Sequence, residues 1–356
     1  MKMSLYPIEI IAKMALAQPS SVPRLPGIIG TYMGRDALSL AASYLNLSSG
    51  DTVLLPLYTC QELLQPFLRK YQVVFYDVSP DLTIDPNEIQ SRIGERRIRL
   101  MLLTNYFGFL QPYRKEIRHI CATKGVSLIE DCAHSLLTEG SGETGDMAIY
   151  SFRKIVPLPD GGGLKINVDG NWPEPSYHPN IYSTTLSLAI MAKKLCNIRT
   201  KALSRGQTIS RLGSMLSDSR SPHKTTHILP LSYFARTGMS KACFSDIIEK
   251  RRSDFEVWLR VCKEVRSIAP VFETIPLSVC PVGFPVRVKQ RDILEARLGQ
   301  KGVFLPVHWR LDPTIGLECG TSHQLTKEML TLPVYPDLGP RTREVITHTL
   351  EEGWES

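Results

Sequence analysis

Two ionisable side chains follow apolar segments of this 356-residue chain: Asp131 ends the segment 126–131, and Lys154 ends the segment 147–154. A lysine amine condenses with an aldehyde once burial and neighbouring cations have lowered its pKa. A carboxylate near a pyridine nitrogen keeps that nitrogen protonated, so that the ring accepts the electron pair released by a substrate. The two residues together indicate an enzyme that holds an aldehyde cofactor on Lys154. For Lys154 taken alone, the alternative is a surface lysine after a strand.

Ser151 lies three residues before Lys154. At this spacing its hydroxyl can hydrogen-bond a phosphate while the amine faces the same pocket. Asp131 alone is weaker evidence, because a carboxylate at the end of a strand is commonly a helix cap. The order of the three residues along the chain therefore carries the prediction.

A sheet built from crossover units is predicted to position these residues. In the first 170 residues, short apolar runs alternate with helical patterns, and the runs lack strict polar alternation. This pattern predicts an α/β fold with a mostly parallel sheet, helices on both faces and ligands beyond the carboxyl ends of the strands. Helices are predicted at 34–45 and 113–124, and strands at 52–56, 73–77, 99–104, 126–131, 147–152 and 164–167.

The second half of the chain changes in character. We predict a helix at 184–201, an irregular polar segment at 204–227 and a charged helix at 245–265. A strand at 286–289 and a helix at 290–300 follow. These elements predict a large α/β domain over residues 1–245, divergent at 171–245, and a smaller α+β domain over residues 246–356.

Composition excludes several classes of protein. The net charge of +7, from 42 basic and 35 acidic residues, is too modest and too dispersed for a nucleic-acid-binding surface. The eight cysteines have no CxxC pair or other metal-ligand spacing, so we expect buried thiols and no metal site. No uninterrupted apolar run approaches the roughly 18 residues of a membrane-spanning helix. We therefore expect a cytoplasmic protein.

An ordered series of motifs resembles the DegT/DnrJ/EryC1/StrS sugar aminotransferases, within fold type I of the pyridoxal-phosphate (PLP) enzymes. Each motif alone is unspecific, but their order is specific. The motifs occupy residues 34–38, 50–56, 74–78, 105–108, 129–134, 151–154, 284–292, 301–308 and 332–336.

The resemblance implies a role for each matching residue. Lys154 would hold pyridoxal 5'-phosphate covalently and move the substrate's Cα proton, and Asp131 would pair with the ring nitrogen. His134 would approach the cofactor's phenolic oxygen, and Ser151 would bind its phosphate.

The turn at Gly34, Arg35 and Asp36 would add backbone N–H groups for the phosphate, because a helix N-terminus favours an anion. The alternative for this turn is an ordinary helix start with Asp36 in its first turn. Arg35 adds a charge to the phosphate or faces solvent.

The sequence departs from the family in the substrate half of the site. Cys60 stands where the family often places a ring over the cofactor, so Tyr58 either supplies that ring from a shifted position or packs in the core. The family's Asn-Tyr-Arg segment has only Arg236 as a counterpart, in Ser232-Tyr-Phe-Ala-Arg236. His308 matches a family segment near the cleft and contacts substrate or packs within the small domain.

The helix predicted at 184–201 is amphipathic and basic at one end. It is compatible with a membrane-surface helix or a lid, and packing in the core with solvated lysines is the alternative.

By the resemblance, we expect a homodimer with its active site at the subunit interface. It would move an amino group from glutamate or glutamine to a keto group of a sugar or nucleotide sugar, in sugar or polysaccharide biosynthesis. The alternatives are another PLP reaction, a non-sugar acceptor, or a catalytically silent binding subunit.

Overall fold

The computed structural model describes residues 21–200, 228–265 and 267–353. Its strands are β1 (Ile28–Thr31), β2 (Thr52–Pro56), β3 (Gln72–Tyr76), β4 (Ile98–Thr104), β5 (Ser127–Asp131), β6 (Met147–Ser151), β7 (Gly162–Ile166), β8 (Ala269–Pro270), β9 (Phe284–Arg287) and β10 (Met329–Leu332).

The helices cover most of the remaining described residues. They are α1 (Gly34–Tyr44), α2 (Gln61–Leu68), α3 (Pro86–Glu95), α4 (Arg114–Thr123), α5 (Asn180–Thr200), α6 (Tyr233–Lys241), α7 (Phe244–Glu264), α8 (Arg291–Gln300), α9 (Gly320–Glu328) and α10 (Pro340–Glu352), with a short 3-10 helix at Phe152–Lys154.

The chain divides into two compact units, each made of two separate segments. We call Met1–Tyr44 with Ser151–Ala242 the lysine unit, and Leu45–Tyr150 with Cys243–Ser356 the aspartate unit. The boundary predicted at residue 245 stays a prediction.

The aspartate unit contains a parallel sheet with strands in the order β6-β5-β4-β2-β3. Its central strands are apolar on both faces and almost fully buried, as expected of a sheet covered by helices on both sides. In the register of β4, β5 and β6, Asp131 lies opposite Thr104 and Ile149. The carboxyl ends of these strands therefore meet at one edge, where Asp131 stands.

The last hundred residues of the aspartate unit have a core of their own. The antiparallel strands β10, β9 and β8 form a small sheet, and its side chains pack with Phe255, Trp258, Leu294 and Ile346 from the surrounding helices. This α+β organisation agrees with the predicted character of the C-terminal segment.

The lysine unit is built around an antiparallel pair, β1 and β7. A hydrogen bond from the Gly161 N–H to the Tyr32 carbonyl, at 2.7 Å, closes the end of this pair. Helices α5 and α6 follow in the same unit.

The predicted elements that fall on described residues are confirmed to within a few residues. The strand predicted at 164–167 begins earlier, at Gly162, and the helix predicted at 184–201 begins at Asn180. The segment 204–227 lies outside the described residues. No described helix has the length and apolar character needed to cross a membrane.

Candidate active site

Asp131 and Glu130 are adjacent carboxylates at the end of β5 with different surroundings. Side chains of successive strand residues point to opposite faces. Glu130 is fully buried and accepts hydrogen bonds from the Asn105 side chain at 2.7 Å and from the N–H groups of Thr144 and Gly145 at 2.9 and 3.3 Å. Asp131 is 5% exposed, and its Oδ1 accepts from the Ala133 N–H at 2.9 Å. Glu130 therefore organises the fold, whereas Asp131 stands at the carboxyl end of β5.

His134 follows in the turn after β5 and is buried among rings. Its ring stacks on Trp309, with centroids 5.4 Å apart, and lies 5.5 Å from the ring of Phe107. The Phe107 N–H points at His134 Nδ1 at 3.4 Å, so the neutral imidazole carries its proton on Nε2. His134 thus presents an N–H donor from a fixed ring.

The two residues that follow Tyr106, in the segment after β4, have an unusual backbone conformation. Phe107 has a φ of 53° and Gly108 a φ of 101°, in the left-handed region that few residues except glycine tolerate. A Cβ on Gly108 would lie 2.3 Å from the Cys280 carbonyl oxygen.

His308 lies beside His134 in the aspartate unit, with ring centroids 5.6 Å apart. Its Nδ1 is 2.8 Å from the Thr331 hydroxyl, on β10. The structure therefore brings together His134 and His308, which are far apart in sequence.

Tyr58 takes the packed-core alternative. It is fully buried, its hydroxyl donates to the His308 carbonyl, and its ring lies against Tyr106 and Trp309. Burial raises the pKa of Tyr58 well above its usual value, so the hydroxyl stays protonated. A ring that stacks on a cofactor needs an open face before the cofactor binds, and Tyr58 has none. Cys60 is half-buried just before α2.

In the lysine unit, Lys154 ends the 3-10 turn Phe152–Lys154 and is half-buried. The N–H groups of Ile155 and Val156 donate to the Phe152 carbonyl at 3.0 and 2.8 Å, and the Phe152 ring is fully buried. Ser151 is 6% exposed, and its hydroxyl makes no capping bond to this turn. The turn is thus anchored by the buried ring and the carbonyl of Phe152.

A glycine brings the start of α1 against β7. A Cβ on Gly162 would lie 2.3 Å from the carbonyl carbon of Met33 and 2.4 Å from the nitrogen of Gly34. Asp36 accepts from the Met33 N–H at 2.9 Å, so its carboxylate caps the helix start. This capping is the alternative stated for Asp36, while the phosphate roles of Gly34 and Arg35 stay predictions.

Asp160 is a buried carboxylate that sequence reasoning missed. The Ser187 and Ser232 hydroxyls each donate to its Oδ2 at 2.5 Å, and the Ser232 N–H donates to its Oδ1 at 3.1 Å. Burial raises the pKa of Asp160, against the opposing effect of these hydrogen bonds and of Arg153. Its position just before Gly161, in the turn that follows Lys154, is the signal that could have marked it.

Arg236 and Trp309 are two further residues whose positions bear on the predicted site. Arg236, predicted on the substrate side, donates to the Ser21 carbonyl and hydroxyl at 2.6 and 2.9 Å within the lysine unit. Trp309 was also missed, and its place next to His308 in the sequence was the available signal. The described residues contain no cluster of His, Cys, Asp and Glu able to hold a metal ion.

The overall fold is shared with known enzymes. DesV from S. venezuelae has a TM-score of 0.64 at 20% identity, covering 98% of this chain and 95% of that one. An aminotransferase from Brucella abortus has a TM-score of 0.64 at 17% identity, covering 98% and 91%. The chain therefore has the predicted fold, that of the fold type I PLP transferases.

Sequence comparison relates part of the chain to one family. Residues 27–170 match the model of the DegT/DnrJ/EryC1/StrS aminotransferase family. EpsN of Bacillus subtilis is 31% identical over 149 residues, which are 38% of this chain and 38% of EpsN. GDP-perosamine synthase of Vibrio cholerae is 26% identical over 144 residues, 38% of this chain and 39% of that protein. The matched stretch thus spans about two fifths of these curated relatives.

The two carboxylates of β5 should respond differently to substitution. Glu130→Gln places an amide NH2 among N–H donors, so we expect it to lower the free energy of unfolding by about 1–3 kcal/mol. Asp131→Asn, the matched change next to it, should lower it by less. Urea unfolding followed by circular dichroism measures both, and a larger loss for Asp131→Asn would contradict the division of roles.

Gly162→Ala should destabilise the lysine unit, because the new methyl group meets the Met33 and Gly34 backbone. The control is Gly94→Ala, which meets nothing within 4 Å in helix α3 and should stabilise by about 0.5–1 kcal/mol. Melting temperatures of the two variants should therefore move in opposite directions. Equal shifts of the two melting temperatures would contradict the close contact of Gly162 with the Met33 and Gly34 backbone.

Asp160 should give stability a particular pH dependence. Because its folded pKa lies above the unfolded value of 3.8, the folded state binds the proton more tightly, and Asp160 costs stability as pH rises from 3.8 through the raised pKa. In Asp160→Asn the amide oxygen can accept from Ser232 while its NH2 donates to a serine oxygen. We expect the stability of Asp160→Asn relative to wild type to increase over that pH window. A difference independent of pH between 4 and 7, measured by urea unfolding, would refute this.

Proposed function

We propose that this protein is a PLP-dependent aminotransferase that transfers an amino group from glutamate or glutamine to a keto group of a sugar or nucleotide sugar. It acts as a cytoplasmic homodimer with the active site at the subunit interface. The observation that supports this proposal most directly concerns the segment 27–170, which matches the family. This one segment contains both the buried Asp131 and the turn from Ser151 to Lys154.

The residues of each unit fit the cofactor. In the aspartate unit, a nearly buried carboxylate ends a central strand, and an imidazole fixed between two rings follows it. Such a carboxylate suits the protonated nitrogen of a pyridine ring. In the lysine unit, a half-buried amine follows a serine hydroxyl by three residues, and a helix N-terminus suitable for a phosphate lies against β7.

The bound cofactor supplies an acceptor for the electron pair released at the substrate's Cα. Asp131 would hold the proton on the ring nitrogen by accepting its hydrogen bond. Lys154 would hold the cofactor covalently, and once the donor amine had displaced it, its free amine would serve as the general base for the substrate's Cα proton and then as the general acid. His134 would donate a hydrogen bond to the phenolic oxygen, and Ser151 to the phosphate.

The relatives support the class of substrate. One is named GDP-perosamine synthase and another a UDP-N-acetyl-3-dehydro-α-D-glucosamine 3-aminotransferase from Acidithiobacillus ferrooxidans, 25% identical over 178 residues. Both names specify sugar nucleotides. A sugar aminotransferase of Streptococcus pneumoniae, solved in a PLP form, has a TM-score of 0.63 at 14% identity.

Lys154→Ala should abolish covalent attachment of the cofactor. Wild-type protein with added pyridoxal 5'-phosphate should absorb visible light, and borohydride reduction should fix the cofactor on the peptide containing Lys154, as read by mass spectrometry. Lys165→Ala, a matched change on β7 of the same unit, should keep both signals.

The reaction itself is tested with glutamate. Wild type and Lys165→Ala should release 2-oxoglutarate in a single half-reaction, and Lys154→Ala should not. A colourless wild type, or a label on another lysine, would overturn the proposal.

A further inference from the structure

A backbone hydrogen bond closes the chain around Lys154. The Phe152 N–H donates to the Gly161 carbonyl at 2.9 Å, and Gly161 has a φ of 125°, a conformation that favours glycine. We call residues 152–161 the lysine loop. Lys154 lies near the start of this loop, and Asp160 lies next to the residue that closes it.

Asp160 ties the lysine loop to two helices. The Ser187 hydroxyl on α5 and the Ser232 hydroxyl at the start of α6 each donate to its Oδ2 at 2.5 Å, and the Ser232 N–H donates to its Oδ1 at 3.1 Å. All three side chains are fully buried. A shift of the loop would therefore leave a buried carboxylate short of donors, which is costly.

Two further contacts hold the lysine loop in the same place. The Gly161 N–H donates to the Tyr32 carbonyl at 2.7 Å, beside the end of β1. On α6, a Cβ added to Gly238 would lie 2.3 Å from Cδ2 of Leu158, so the helix lies directly against the loop. The loop that carries Lys154 is thus held at its closing end and along one side.

We propose that Asp160 is a positioning residue for Lys154. It holds the lysine loop so that the Lys154 amine meets the cofactor's aldehyde and, once free, the Cα proton of the substrate. Reactive groups need to be held within about 0.5 Å of their productive geometry by the hydrogen bonds around them, and the flexible lysine stem adds freedom to any backbone movement. Asp160 itself would touch neither cofactor nor substrate. This inference rests on the proposed function of Lys154.

The test compares Asp160→Asn with Asp160→Leu in a single turnover of glutamate at saturating pyridoxal 5'-phosphate. In Asp160→Asn the amide can accept from Ser232 and donate to a serine oxygen, so the wild-type rate constant should be kept. Leucine fills a similar space without a hydrogen bond. The rate constant of Asp160→Leu should fall at least about tenfold, because a 1 Å displacement of a reacting group can cost about a hundredfold.

Two readouts separate positioning from a loss of stability. Fewer folded molecules lower the amplitude of the single turnover and leave its rate constant unchanged. A displaced amine slows proton transfer, so glutamate deuterated at Cα should show a larger isotope effect in Asp160→Leu than in wild type. A lower amplitude with an unchanged rate constant and isotope effect would overturn the proposal.

Two hydroxyl groups of α5 provide a milder, matched comparison. The Ser187 hydroxyl donates to Asp160, whereas the buried Thr184 hydroxyl, three residues earlier, accepts from the Tyr233 N–H at 3.1 Å. Ser187→Ala should lower the rate constant severalfold, and Thr184→Val should leave it unchanged. Equal rate constants in these two variants would overturn the proposal, and this holds even where Asp160→Leu does not fold.

Acetylation of Lys154 without added cofactor separates this proposal from the proposed function. Lys165 on β7 is also half-buried and serves as the reference. The ratio of acetylation at Lys154 to that at Lys165 should rise in Asp160→Leu and Ser187→Ala, because displacement exposes the amine. It should stay unchanged in Asp160→Asn and Thr184→Val. A wild type that stays colourless with cofactor refutes the proposed function, whereas the same acetylation ratio in every variant refutes the positioning role.

Discussion

A carboxylate removed from water needs hydrogen-bond donors, and three buried carboxylates organise this chain in different ways. Glu130 receives a side-chain amide and backbone N–H groups from the loop before β6. Asp160 receives two serine hydroxyls and a backbone N–H. Asp131 stands at the carboxyl end of β5 and accepts from the Ala133 N–H. The carboxyl ends of strands are where α/β sheets bind ligands, so Asp131 is the one of the three placed to meet a ligand.

The same need explains why the loops near the site are ordered. The loop at 142–145 turns its N–H groups toward Glu130, which fixes where β6 begins. The turn after Lys154 carries Asp160, and that carboxylate draws in Ser187 from α5 and the Ser232 cap of α6. The hydrogen bonds of Glu130 and Asp160 thus hold the segments that flank Asp131 and Lys154, although neither carboxylate is assigned a chemical step in the reaction.

Much of the fold could be predicted from sequence because buried parallel strands are local apolar runs, and β2, β4, β5 and β6 were found from them. Asp131, Ser151 and Lys154 are assigned to the site from their order along the chain, and that assignment stays a prediction. Asp160 and Trp309 were missed because their partners are distant in sequence: Ser232 lies 72 residues from Asp160, and Trp309 stacks on His134, from the turn after β5. For Tyr58 the sequence left two alternatives, and packing against Trp309 decided between them. The periodicity of the sequence at 184–201 predicts a helix with two different faces, but it does not predict which face is buried.

The orientation of α5 and the position of the Lys154 turn depend on the same carboxylate. Ser187 on α5 donates to Asp160, and Asp160 follows Lys154 by six residues, in a turn whose next residue is tied to Tyr32. Since Asp160 is fully buried, α5 cannot rotate without leaving that charge short of a donor. The orientation of α5 and the ordered lysine turn are therefore two consequences of one buried carboxylate.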